Sequence, residues 1–98
     1  MNYSDFCNSI EQKNKPQNLH PSLEALWLTA AGNWDEAHLI VQSREDNDSE
    51  WIHAHLHREE GDKWNATYWY TRCGREFPSL SLKDEWEEIT KDLILKYT

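Results

Sequence analysis

Two glycines 29 positions apart, Gly32 and Gly61, are each followed at once by a residue that caps helices, Asn33 and Asp62. Glycine adopts the left-handed backbone that ends a helix, and Asn or Asp accepts hydrogen bonds from the free N–H groups opening the next one. Such a pair marks a tight turn between two helices, and its recurrence in one register predicts a duplicated helical hairpin. The same shift lays Leu23 on Ile52, Ala25 on Ala54 and Ala37 on Ala66.

The flanking patterns agree. Leu23, Leu26, Trp27 and Ala30 recur at i, i+3, i+4 and i+7 behind Pro21, the stripe of an amphipathic helix with proline in its first turn. Asn33 with Glu36 resembles a capping box, and the helix it opens carries Trp34, Ala37, His38 and Val41 on its inner side. Ser43 to Asp48 is polar and reads as a loop. The second hairpin starts at a cap on Asp48 or Ser49, turns at Gly61-Asp62 and stops at Gly74. Ser81 then caps a helix with Leu82, Trp86, Ile89 and Leu93 on one stripe, placed to close an exposed end of the hairpin stack. The Glu and Asp residues of that helix read as its solvated face. Residues 1–20 lack helical periodicity and predict a flexible or loosely docked segment, in which Tyr3, Phe6 and Ile10 pack as one short turn at most. The expectation is an all-α chain: a single helical domain over residues 21–98, built from two helix-turn-helix hairpins and a C-terminal capping helix.

Ninety-eight residues hold one core, and six Trp with four Tyr supply large rings to fill it. The net charge of −8, with Lys and Arg scattered, argues against nucleic acid and against an anionic membrane surface as partners. No apolar run suggests a signal peptide or a membrane span, so the expected compartment is the cytoplasm. Cys7 and Cys73 stand alone, without the spacing of a zinc ribbon or a disulfide framework.

The segment NATYWYTRCG places Ala66, Trp69 and Tyr70 as small–x–x–aromatic, and it resembles the signature of the short Sel-type variants of tetratricopeptide repeats. Cys73 stands where those variants usually have alanine, and the period of 29 is shorter than the one typical of the superfamily. WDEAHLIVQ, WIHAHLHREEGDKWNATYWYTRCGR and SLKDEWEEI together resemble a bacterial-type family of small uncharacterised helical proteins of about this length. That resemblance spans residues 22–90 and implies a helical fold, with no catalytic residues and no cofactor.

Three constellations carry candidate chemistry. His53 and His57 share one helical face with Glu60 at i+7, a donor set for a divalent transition metal such as zinc. Alternatively they belong to a solvated polar face. The HxxxH pattern lacks the glutamate that serves as base in HExxH proteases. His55 and His38 fall on inner stripes, so each needs a partner once buried; Glu59, Asn65 and Tyr68 are candidates, forming a polar pocket of His38, His55, Glu59 and Asn65. Trp64, Tyr68 and Trp69, with Arg58 and Arg72, have the composition of a protein-binding surface. The expected function is a small interaction module that takes a peptide, a protein or a second copy of itself in an aromatic-rich groove between the hairpins. The alternative is a metal-binding protein or histidine-dependent enzyme. Nothing in the sequence names a nucleophile or a phosphate loop, so the balance leans away from an enzyme.

Overall fold

The computed structural model describes all 98 residues and is all-α. Six helices follow one another: α1 (Tyr3–Glu11), α2 (Pro21–Ala30), α3 (Trp34–Gln42), α4 (Asn47–Glu59), α5 (Lys63–Arg72) and α6 (Leu82–Tyr97). The pairs α2/α3 and α4/α5 are the two expected hairpins, and their turns are built alike. Gly32 and Gly61 have φ of +84° and +86°. Asn33 N–H donates to Leu28 O and Asp62 N–H to Leu28's counterpart His57 O, each at 2.9 Å, which closes the same six-residue loop twice.

Two caps differ from expectation. Asn33 makes no side-chain cap hydrogen bond, so no capping box forms there. α4 begins earlier than Asp48 because Asp46 caps it, its carboxylate accepting from Ser49 N–H at 3.0 Å. Asp62 and Ser81 cap α5 and α6 as the sequence suggests.

The N-terminal segment forms more than the single turn expected. Asn2 caps the nine-residue α1, and Phe6 is fully buried in the common core. Trp27 Nε1–H donates to Ser9 Oγ at 3.0 Å, and Tyr3 and Phe6 lie against the ring of Trp86. The signal was present as Tyr3, Phe6 and Ile10 at helical spacing, but too few apolar residues surround them to show a period.

α4 is the core helix. It packs against α2, α3, α5 and α6, and every residue from Ser49 to His57 is buried. α6 lies across α2 and α4, one helix from each hairpin, and reaches α1, with Ile89, Leu93 and Ile94 buried in the common core.

Candidate metal centre

A helix buried on all sides gives its polar side chains no water, so each must find a partner within the protein. Three of the buried residues of α4 are histidines, and they divide by helical angle. His53 and His57, one turn apart, face α3; His55 points the other way, toward α6.

On the α3 side the imidazoles of His38, His53 and His57 converge. Their ring centroids lie 4.7, 5.2 and 4.9 Å apart, and one nitrogen from each falls within 4.8 Å of the other two. His38 Nε2 and His53 Nε2 are 3.0 Å apart, so one carries the shared proton and the other accepts it. Trp34 stacks on His38 at 4.8 Å and Trp69 on His53 at 4.0 Å, holding the rings from outside. Trp34 is itself fixed by donating Nε1–H to Leu56 O at 2.8 Å. Behind the cluster, His57 Nδ1 lies 2.6 Å from Glu60 Oε1.

Burial, followed by the neighbouring His38 and His57, pushes the pKa of His53 down to about 3, so its ring is neutral near pH 7. Burial and His57 lower His38 as well, against the pull of Glu60 and Asp35. Neutral imidazole is the form that binds a metal. His53 Nδ1 is buried with no hydrogen-bond partner, one of three such side-chain atoms in the chain.

The sequence reading placed His53, His57 and Glu60 on one face, and the structure keeps them together but changes their roles. Glu60 holds His57 from behind, and the third nitrogen comes from His38 on the neighbouring helix. Of the four side chains expected to form a polar pocket, His55 and the exposed Glu59 border one cleft with Thr29 and Trp86, while His38 and Asn65 lie elsewhere. His38 joins the three-histidine cluster, and Asn65 is bound to the capping carboxylate of Asp62. Asp62 lies near His57 and Glu60, but Asn65 N–H and Nδ2–H occupy its oxygens at 3.1 and 2.6 Å.

His55 instead meets a residue the sequence reading left in solvent. Its Nδ1 lies 2.6 Å from Glu85 Oε1, and Glu85 is 1% exposed. Arg58 Nη1–H donates to the same oxygen at 3.0 Å, and Tyr70 O–H donates to Oε2 at 2.5 Å. Burial raises the carboxyl pKa of Glu85, but the bonds from His55, Tyr70 and Arg58 together outweigh it and hold the group below its ordinary value. This buried carboxylate sits three positions past Leu82 and four before Ile89, so it falls on the apolar stripe of α6. A charge on that stripe was the signal that α4 and α6 share a polar pair.

The expected aromatic site is divided too. Trp64 and Tyr68 stand on the outer side of α5, while Trp69 turns inward onto His53. Arg58 is drawn to Glu85 and to the carbonyl of Leu80, and Arg72 Nε–H donates to Glu50 at 2.8 Å. The cleft beside Trp64 and Tyr68 is bounded by residues of α5 alone, so it is not a groove between hairpins. No family model, no curated protein and no solved structure matches this chain, and the tetratricopeptide-type resemblance gains no support from those comparisons.

Proposed function

We propose that this protein binds a divalent transition metal, zinc being the best fit, through His38, His53 and His57, with Glu60 orienting His57. The convergence of three imidazoles from two helices on one point is the observation that carries the reading. Tetrahedral zinc with Zn–N bonds of about 2.0–2.1 Å needs nitrogens roughly 3.3 Å apart; His38 Nε2 and His53 Nε2 lie 3.0 Å apart, and one nitrogen of each of the three rings lies within 4.8 Å of the other two. A carboxylate behind a ligating histidine fixes the orientation of its ring, the role that Glu60 fills toward His57.

The surroundings favour a held ion over a reacting one. None of the surface clefts is lined by His38, His53 or His57, so no substrate-sized space opens on the cluster. The ion would join α3 to α4 and thereby one hairpin to the other.

Elemental analysis of protein prepared without a histidine tag tests the proposal, together with zinc titration followed by tryptophan emission. Trp34 lies against His38 and His57 and Trp69 against His53, so emission should change and saturate at one zinc per chain. His57→Ala should abolish binding, whereas His20→Ala should leave it intact, since His20 is stacked on Tyr97 away from the cluster. Absence of zinc binding in the wild type, or full binding in His57→Ala, would sink the proposal.

A further inference from the structure

α5 is the one helix of the six without an acidic residue, in a chain of net charge −8. Its outer side carries Trp64, 76% exposed, and Tyr68, 46% exposed, with nearly parallel rings 6.3 Å apart. Lys63, Thr67, Thr71 and Arg72 frame the two rings on a shallow surface that is largely open to solvent. α5 packs inward on α4, and α6 crosses α2 and α4, which leaves this side of α5 open.

Tyr68 is held in place: Arg72 Nη1–H donates to its Oη at 3.2 Å, and Trp69 meets its ring edge-on at 5.1 Å. A tyrosine fixed in this way loses little freedom when a partner covers it, and the exposed Trp64 beside it supplies the larger apolar anchor. Glu50, the counter-charge of Arg72, is 4% exposed and turned to the interior, so the outer side presents cations and rings with no carboxylate among them.

A second copy is a poor occupant. In an isologous contact the Lys63 and Arg72 of one copy would oppose the same cations of the other, with no carboxylate on the outer side to pair across the contact, since Glu50 is turned inward on its own Arg72. A segment bearing carboxylates and an aromatic or aliphatic anchor satisfies both the charge and the exposed rings. We propose that the outer side of α5 is a docking surface for an acidic, aromatic-bearing peptide segment of a partner protein. The proposal is independent of the metal centre, since none of the residues that form the surface is a metal ligand.

A random glutamate–tyrosine copolymer and its lysine–tyrosine counterpart are suitable probes for the full chain, with binding read by calorimetry at low and high salt. The acidic copolymer should bind and weaken as salt rises. Binding should fall at least about tenfold in Trp64→Ala/Tyr68→Ala, the loss expected when a central anchor is removed. Both side chains are exposed, so an unchanged melting temperature shows that the variant is folded. Lys63→Glu should weaken the acidic copolymer and favour the basic one. Failure of the acidic copolymer to bind, equal binding of both polymers, or indifference to the double substitution would overturn the proposal. So would a wild-type dimer in light scattering that Trp64→Ala turns into a monomer, because a second copy would then own the face.

Discussion

Glu85 carries the largest electrostatic burden of any single residue. It is buried with a negative charge, and three donors from α4 and α5 converge on it. Removing one partner of such a set leaves the others uncompensated, so Glu85→Ala should destabilise the protein by about 3–5 kcal/mol in urea unfolding. The pH dependence has a definite sign. In the unfolded chain the carboxyl takes a proton near its ordinary value of 4.5, whereas in the folded chain it stays charged to lower pH. Its contribution is therefore complete above that value and is lost as pH falls through the depressed folded one. Glu85→Gln should flatten the acid limb of a stability–pH curve, and an unchanged limb would show that other carboxylates govern it. Gly61 offers a cleaner test of backbone conformation. A Cβ added there meets nothing within 4 Å, so Gly61→Ala should cost about 1–2 kcal/mol from the left-handed φ of +86° alone.

Among the elements, α2, α3, α5 and α6 were legible because each combines a cap or stop residue with an apolar stripe. α1 was not, since its helix is held by tertiary burial of one phenylalanine more than by its own pattern. Phe6→Ala should accordingly cost about 3–5 kcal/mol and expose α1 to proteolysis, measurable by melting and limited digestion. α4 was legible as a helix, but its burial on every side was not, because five of the nine residues from Ser49 to His57 are polar or charged. Periodicity turned His55 inward but left His53 and His57 open to a solvated face, and only the packing of four neighbouring helices buries them all. For the same reason the i, i+4 pair His53/His57 could be read from the sequence, while the third ligand could not. His38 was recognised as an inward residue beside Trp34, yet the register of α3 against α4, which brings it to His53, is a property of two elements together.

At the scale of the whole molecule, the two hairpins share one hydrophobic core, and the three-histidine cluster lies on the seam between them. An ion there would cross-link α3 to α4 and stabilise the folded chain by mass action, about 2.7 kcal/mol at a hundredfold excess of zinc over its dissociation constant. For a chain of this size that corresponds to a rise in melting temperature on the order of 10 °C. Chelation should reverse the rise. The third ligand lies on the opposite hairpin from the HxxxH pair, so His38→Ala discriminates a built centre from incidental binding by two neighbouring histidines. Calorimetric titration of zinc into tag-free wild type and His38→Ala, with the melting temperature of each recorded alongside, measures this directly. Wild type should bind one zinc per chain with the thermal shift above, and His38→Ala should bind at least tenfold more weakly with little shift. Equal affinity in the two proteins, or no zinc bound by the wild type, would contradict a three-histidine centre.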